Sequence, residues 1–553
     1  MTRDVEFGKL YDKHCITGIR YNYGTAGFRY KADLLGTVLF TTGLLAPLRS
    51  MYLKGQYIGV MITASHNPPE DNGVKLVDPK GEMLNQDWEV YATTLANAAS
   101  EGKEQLSYAL EELVKELGIN RDIKANIIVA RDSRESGPRL YEAFIDGTRV
   151  FENVKILNFN MLTTPQLHFL TLQCNIYDDV SKVNEELYYS YLLSAWASLA
   201  DLYKIESSPF PLVIDTANGV GGAKARELFM RNKFFKDSLT IINDEWSKHD
   251  LLNSHCGADY VKTNQCLPTG IPISTPLNSI HCSYDGDADR VIFYYKDAQK
   301  NFHLLDGDKI STLFAKFFQH ILPIAGIEES VRLGVVQTAY ANGSSTRYLS
   351  EVLKVPVSCT PTGVKHLHRE AVLKYDIGIY FEANGHGTVI FSNKLNETVK
   401  EKLADKTLSK DTTLALKTIK LFSKLINQTV GDAMSDMLAA LAVLCILNWT
   451  PEQWDQEYSD LPNTLKKAIV PDRSVFKTTN AERQLVSPAG LQDQIDNIVK
   501  TYDGARLFVR ASGTEDAVRI YAEASTKEQA DELCNKVSEL VIESTSASSQ
   551  IPT

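Results

Sequence analysis

The chain of 553 residues is several times longer than an ordinary domain, so roughly three or four domains are expected. With 44% hydrophobic and 23% charged residues, 32 Gly and 19 Pro, it has a globular composition, which excludes disordered, collagen-like and low-complexity classes. Acidic groups outnumber basic ones by 69 to 58, and the net charge of −11 argues against a general nucleic-acid binder while leaving room for a small phosphorylated ligand held by a few cations.

In chain order, the opening MTRDVEFGKLYDKH contains no apolar stretch of a secretory signal, and a cytoplasmic location is expected. Residues 23–29 (YGTAGFR) form a turn whose glycines allow close backbone approach and whose Arg29 suits a phosphate. Residues 58–62 (IGVMI) predict a strand running into a loop from Thr63 to Lys75 (TASHNPPEDNGVK). Asn, Pro and Gly there hold a fixed, exposed turn, the way a nucleophilic hydroxyl is presented, and Ser65 is the candidate nucleophile. A serine hydroxyl is weak and needs a base, a metal or prior phosphorylation; His66 and Lys75 are the local candidates, and taken alone the stretch reads as a polar β-turn.

Residues 126–130 (NIIVA), the turn Arg131-Asp132-Ser133-Arg134 and a helix near 138–150 follow a strand, turn, helix grammar. It recurs at 211–215 (PLVID) with 218–222 and at 333–337 (LGVVQ) with 341–343, implying three α/β modules with functional loops at the carboxyl ends of strands. Between the first two modules, residues 175–207 carry Tyr and Leu at helical spacing, which predicts a connecting helix and a boundary near residue 190. The eight cysteines are irregularly spaced and form no disulfide framework; His255, Cys256, Cys266, His281 and Cys282 lack C-x-x-C spacing and read as buried groups rather than a zinc cluster.

Residues 283–290 (SYDGDADR) place Asp285, Asp287 and Asp289 at alternate positions of a tight loop between strands. Three such carboxylates repel one another unless a cation sits among them, and oxygen donors select a hard ion, Mg²⁺ first. An EF-hand is excluded by the strand flanks, and Arg290 beside the loop suits a phosphate oxygen. Residues 360–366 (TPTGVKH) bring Gly363, Lys365 and His366 into a second loop of the Gly-and-cation kind. Residues 381–388 (FEANGHGT) close an apolar strand and offer Glu382, Asn384 and His386, suited to sugar hydroxyls or to capping a hairpin.

Residues 394–424 are dense in charge and predict a solvated insertion or exposed helix. The longest apolar run, 437–447, has eleven residues, too few to cross a bilayer, and predicts a buried helix followed by a linker at 449–464. Two strands at 506–510 and 517–524 and a helix at 527–541 make a compact α+β unit, with a frayed tail from 543. Its loop, VRASGTEDAVR, brackets Ser512, Gly513 and Thr514 with Arg510 and Arg519, as a phosphate cradle would.

The set of loops, in this order, resembles the α-D-phosphohexomutase superfamily over nearly the whole chain: TASHNP at 63–68, DGDADR at 285–290, a sugar loop, and RASGT at 510–514. Most members carry Gly-Glu-x-Ser-x-Gly at the sugar loop, whereas Glu382-Ala383-Asn384-Gly385-His386-Gly387 is similar to the eukaryotic phosphoacetylglucosamine mutase branch. The resemblance implies an α/β, heart-shaped, four-domain architecture: three α/β domains and a smaller α+β domain of the TATA-binding-protein-like type around a central cleft. The domains would span 1–190, 191–300, 301–455 and 456–553, carrying the serine, metal, sugar and phosphate loops in turn.

It further implies that Ser65 is carried as phosphoserine and that one Mg²⁺ is bound by Asp285, Asp287, Asp289 and a phosphoryl oxygen on Ser65. Arg510, Ser512, Gly513, Thr514 and Arg519 would bind the non-reacting phosphate, and Glu382, Asn384 and His386 the sugar hydroxyls. Arg29, His66, Asn67, Lys75, Arg290, Gly363, Lys365 and His366 match cleft positions, with Lys75 or a His as general base. The implied reaction interconverts N-acetylglucosamine 6-phosphate and 1-phosphate through a 1,6-bisphosphate that also serves as primer, supplying the uridine-diphosphate sugar. A monomer or weak homodimer with no nucleic-acid or membrane partner is expected. The alternatives are a phosphoglucomutase or phosphomannomutase, an aspartyl-nucleophile phosphatase using Asp285 and Asp287, and a silent sugar-phosphate binder.

Overall fold

The computed structural model describes residues 2–236, 238–512 and 516–548. They fall into two units, residues 1–304 with 421–448, and residues 305–420 with 449–553.

The first unit holds two mixed sheets, each strand an apolar run ended by turn residues. One comprises β1 (Phe28–Lys31), β2 (Tyr57–Ile62), β3 (Asp71–Val77), β4 (Ala125–Arg131) and β5 (Val154–Met161), in the order β1-β3-β2-β4-β5. All six residues of β2 are buried, as its uninterrupted apolar run requires of a strand covered on both faces. Strands β2, β4 and β5 are parallel, and β3 returns antiparallel to β2. The other sheet comprises β6 (Leu212–Asp215), β7 (Leu239–Ile242), β8 (Ile280–Tyr284), β9 (Val291–Lys296) and β10 (Phe302–Leu305), in the order β10-β9-β8-β6-β7. Here β6, β7 and β8 are parallel and β9 returns antiparallel to β8.

The second unit repeats the device with β11 (Leu333–Thr338), β12 (Val357–Thr360), β13 (Ile377–Phe381) and β14 (Gly387–Phe391), ordered β12-β11-β13-β14, only β14 being antiparallel. The chain then forms β15 (Asn463–Ile469), the short hairpin β16 (Lys477–Thr479) and β17 (Gln484–Ser487), and finally β18 (Arg506–Ala511) and β19 (Ala517–Glu523). Strands β15, β19 and β18 make an antiparallel sheet packed on the helix Lys527–Ser548 through Val518, Ile520, Leu533 and Val537. Three sheets thus end a parallel strand in a loop and bring the chain back as its antiparallel neighbour. The loops so held, β2/β3, β8/β9 and β13/β14, are the ones expected from the sequence to carry the serine, the metal ligands and the sugar contacts, and the expected phosphate loop follows β18.

Several sequence expectations are corrected. Within residues 175–207 the expected connecting helix is Glu185–Tyr203, started by the Asn184 side chain accepting from Leu187 N; residues 175 and 176 instead end the preceding helix Thr164–Ile176. The charged stretch 394–424 forms two helices, Asn393–Leu403 and Lys410–Leu425, and the second buries Leu416, Ile419, Phe422 and Leu425. Its apolar residues are few but fall on one stripe, which decides burial more than composition does. The expected linker contains the helix Pro451–Asp455, docked by Trp454, whose indole N–H donates to Lys309 O at 3.0 Å. The last helix runs to Ser548 rather than 541, and residues 549–553 lie outside the described residues. No helix among the described residues is long and apolar enough to cross a membrane.

Candidate active site

Ser65 follows β2 with φ +53°, a left-handed conformation that a serine adopts only when its surroundings impose it. Those surroundings are dominated by Arg134, from the turn after the parallel neighbour β4. All five guanidinium hydrogens are used: Nε on Asp132 at 3.1 Å, Nη1 on the carbonyls of Pro68 and Asp71 at 2.6 and 2.8 Å, and Nη2 on those of Ser65 and Asn67 at 2.9 and 2.8 Å. Asn253 adds Nδ2 bonds to the Ser65 and Asn67 carbonyls, both 3.1 Å. The Asn67 side chain is itself tied into the loop through Asp71 Oδ2 at 3.0 Å.

The exposed hydroxyl expected from the turn residues is instead fully buried. The metal loop closes against it, so tightly that a Cβ on Gly286 would lie 2.5 Å from Ser65 O. Ser65 Oγ donates to Asp285 Oδ2 at 2.5 Å and lies 3.4 Å from His66 Nδ1. Asp285, Asp287 and Asp289 each place a carboxylate oxygen within 4.8 Å of the others, and all three are buried. Lys75, on β3, donates to Asp287 Oδ2 at 3.1 Å and Asp289 Oδ2 at 2.8 Å, and Thr164 Oγ1 donates to Asp287 Oδ2 at 2.6 Å. Arg290 pairs with Asp259 at 3.1 Å, and its Nε stands 3.7 Å from Asp285 and 3.8 Å from Asp289.

Burial, together with Asp289 and Asp287, pushes the Asp285 carboxyl well above its ordinary range against the opposing pull of Arg290. Burial and Asp289 also push Asp287 up, but Lys75, the Thr164 hydroxyl and Arg29 outweigh them and leave it below its ordinary value. Burial opposes a charge on Lys75, and the two carboxylates it bonds override burial and raise it. Burial and Arg290 hold Arg29 below its usual value, and the same two causes push His66 down to about 3. The crowding of like charge at Asp285 and the Asp287 Oδ1 atom, buried with no hydrogen-bond partner among the described residues, both fit a hard divalent cation held by this oxygen set.

In the second unit the structure brings Glu382, Asn384, His386 and Gly363 together. Gly363 N donates to Glu382 Oε1 at 3.2 Å, Asn384 Nδ2 to Glu382 Oε2 at 3.3 Å, and His386 N to Asn384 Oδ1 at 2.9 Å. Gly307 is required beneath them, because a Cβ there would collide with Glu382 O. Lys365 and His366 occupy the first turn of the helix Val364–Lys374. Arg510 on β18 stands directly opposite Arg519 on β19, with Ser512 N closing the hairpin onto Ala517 O at 2.8 Å. Arg510 Nε donates to Tyr340 Oη at 3.0 Å and Nη1 to Glu482 Oε1 at 3.2 Å. Gly513 and Thr514 lie outside the described residues.

Sequence reading did not assign Arg134, Asn253, Asp259, Thr164, Tyr340 or Glu482. Arg134 alone carried a signal, in the polar turn that closes an apolar strand; the others sit at ordinary positions far along the chain from their partners.

A buried serine bonded to one of three clustered carboxylates, with cations on its flanks, is an arrangement suited to metal-assisted phosphoryl transfer. The family models described as phosphoacetylglucosamine mutase AMG1, domains II and III, match residues 178–292 and 306–449. Those for phosphoglucomutase/phosphomannomutase match the alpha/beta/alpha domain I at 35–103 and 96–180 and the C-terminal domain at 465–540. The phosphoacetylglucosamine mutase of Saccharomyces cerevisiae is 53% identical over 546 residues, covering 96% of this chain and 98% of that protein; the human protein of that name is 47% identical, covering 94% of each. Among solved structures, an N-acetylglucosamine-phosphate mutase in its substrate complex superposes with a TM-score of 0.91 at 51% identity, covering 98% of this chain and 100% of that one. The Aspergillus fumigatus N-acetylphosphoglucosamine mutase in complex with GlcNAc-6P and magnesium gives 0.90 at 44% identity, covering 98% and 99%. The chain belongs to the phosphoacetylglucosamine mutase family of the α-D-phosphohexomutase superfamily, and is an isomerase acting by intramolecular phosphoryl transfer.

Proposed function

We propose that the protein interconverts N-acetylglucosamine 6-phosphate and N-acetylglucosamine 1-phosphate, with Ser65 carried as phosphoserine and a hexose 1,6-bisphosphate as primer. The observation that carries this reading is the 2.5 Å approach of Ser65 Oγ to the buried aspartate triad, which places the hydroxyl beside a site made for a hard cation. Asp285, Asp287 and Asp289 would hold one Mg²⁺, which offsets negative charge on the transferring group. In the forward direction the bond between phosphorus and Ser65 Oγ breaks as one forms to the free sugar hydroxyl, whose proton passes through a base to the departing Ser65 Oγ. The resulting bisphosphate turns around and returns its other phosphoryl group to Ser65, the proton of the Ser65 hydroxyl passing back through the base to the sugar oxygen left behind.

We read His66, whose Nδ1 lies 3.4 Å from Ser65 Oγ and which burial and Arg290 keep neutral, as the base that takes and returns that proton. Lys75, engaged by two carboxylates, is a fixed counter-charge, and Arg29 and Arg290 supply the rest of the positive field. Glu382, Asn384 and His386 bind the sugar hydroxyls, while Arg510, Ser512, Gly513, Thr514 and Arg519 hold the phosphate that is not reacting. Four domains bounded near residues 190, 300 and 455, a cytoplasmic site of action and a monomer or weak homodimer complete the reading.

The test is a Mg²⁺-dependent mutase assay of wild type and Ser65→Ala, with N-acetylglucosamine phosphate and glucose phosphate in parallel and bisphosphate present. Preference for the acetylated sugar, abolished in Ser65→Ala, is the expected result. Equal turnover of glucose phosphate would refute the substrate, and phosphate release that survives Ser65→Ala would refute the serine.

A further inference from the structure

We infer that Glu482 competes with the substrate's phosphate for Arg510, and so keeps that phosphate exchangeable. The inference rests on the reading of Arg510 as a phosphate-binding residue. Glu482 lies in the turn between β16 and β17, where Asn480, Ala481 and Glu482 have φ of +52°, +55° and +66°. Three successive left-handed residues without a glycine are costly and persist only where the surroundings fix them. This turn is held from within by Arg483, whose N and Nε donate to Asn480 O and whose Nη2 donates to Asn480 Oδ1 at 2.6 Å, and from outside by the Glu482 carboxylate. Its Oε2 accepts from Thr362 N at 2.9 Å and Thr362 Oγ1 at 2.5 Å, while its Oε1 accepts from Arg510 Nη1 at the longer 3.2 Å. The carboxylate is therefore anchored on the loop after β12 and reaches toward Arg510 with its other oxygen.

Arg510 is held on two sides, by Tyr340 Oη on Nε and by Glu482 on Nη1, so an incoming phosphate meets the edge formed by Nη1 and Nη2. Bidentate capture of a phosphate uses both nitrogens of such an edge, and one of them is shared with the carboxylate, which also repels the dianion. The same loop already spends the next backbone N–H, that of Gly363, on Glu382. A simple anion trap would leave such groups open to the ligand. A mutase whose bisphosphate must present first one phosphate and then the other benefits from a grip that an internal carboxylate can take back. A purely structural Glu482, bracing Arg510, would act with the opposite sign, since its loss would weaken phosphate binding.

The experiment measures the Kd of glucose 1,6-bisphosphate by calorimetry, with Mg²⁺, and kcat and KM for N-acetylglucosamine 6-phosphate, on full-length wild type, Glu482→Gln, Arg510→Ala and the double variant. Glutamine keeps the length and a carbonyl for Thr362 but removes the charge. Expected are a Kd and a KM lower by about tenfold in Glu482→Gln, with a reduced kcat as the bisphosphate is released more slowly, and no effect of Glu482→Gln once Arg510 is Ala. Glu482→Asp, which withdraws the charge from Arg510 by one methylene, shifts Kd in the same direction by less and serves if the Gln variant does not fold. Weaker or unchanged binding in Glu482→Gln, with Arg510→Ala still weakening it, would overturn the inference alone. Unchanged binding in Arg510→Ala would overturn the phosphate-binding role of Arg510 and the inference with it.

Discussion

Ser65 and Asp285 come from different sheets of the first unit and meet directly at 2.5 Å, whereas Glu382 and Arg510, from different sheets of the second, are each held by an intermediary, Gly363 N and Glu482. The first arrangement is closed: the serine is fully buried, its loop carbonyls are saturated by Arg134 and Asn253, and Lys75 lies between two of the carboxylates. The second is partly open, with the Arg510 and Glu482 side chains 16% and 20% exposed. The same strand, loop and returning strand thus serve two purposes. Where bonds are made and broken, reacting atoms must be placed to fractions of an ångström, and the loops hold one another rigidly. Where a ligand must be held in two orientations, loops tied by exchangeable hydrogen bonds are the better solution.

The largest effect is expected from breaking the closed arrangement at the metal. Asp287→Asn, which halves the acceptor capacity of the carboxylate bound by Lys75 and Thr164, is expected to lower kcat by about 10⁴-fold and to raise the Mg²⁺ needed for half activity. A loss of under tenfold, with unchanged Mg²⁺ dependence, would mean that the triad is only a structural cluster. Arg134→Met comes next. It leaves Asp132 buried without its guanidinium and takes the Arg134 donor from four loop carbonyls, of which those of Ser65 and Asn67 keep only Asn253, so a stability loss of about 3–5 kcal/mol is expected in chemical denaturation, with activity falling alongside. By contrast Asn384→Ala, in the open arrangement, is expected to raise KM for N-acetylglucosamine 6-phosphate by about 10–100-fold with a smaller change in kcat and an unchanged melting temperature. An equal loss of kcat at Asn384 and at Asp287 would erase the distinction between the two units.

The four loops were legible in the sequence because each is local: a strand, its turn and the returning strand lie within about twenty residues, and the chemistry sits in the turn. The aspartates needed only their alternation to suggest a cation. What holds the loops in place was not legible. Arg134 reaches Asn67 because β2 and β4 are parallel neighbours, a pairing that joins residues 67 positions apart. Glu482 meets Arg510 across 28 positions, and nothing in the NAERQ stretch marks a carboxylate that must point inward. Ser65 was expected to be exposed because turn residues usually are; its burial comes from Gly286 and Asn253, both more than 180 positions away along the chain. The charged segment 394–424 misled for a related reason, since composition averages over a helix whereas burial follows a single stripe.

The smallest expected effect compares the two units through two histidines that the proposed reaction does not use. His281 on β8 is 4% exposed and stacks on Tyr294 at 5.4 Å, and burial pushes it down to about 4, with Lys296 adding to the shift. His368, half-buried with Nδ1 2.9 Å from Tyr380 Oη, is also pushed down to about 4 by burial. Above the unfolded value of about 6.5 both imidazoles are neutral in the folded and unfolded chain, and neither makes stability depend on pH. As pH falls from about 6.5 toward 4 the unfolded chain takes up protons that the folded one refuses, so stability is lost, by about 2 kcal/mol at pH 5 for His281 and by less for the more accessible His368. His281→Phe is therefore expected to flatten the decline in melting temperature between pH 7 and pH 5, and His368→Gln to flatten it less. If the units melt in separate transitions, each variant acts on its own transition; a slope unchanged by either would mean that neither imidazole sets the decline between pH 7 and pH 5.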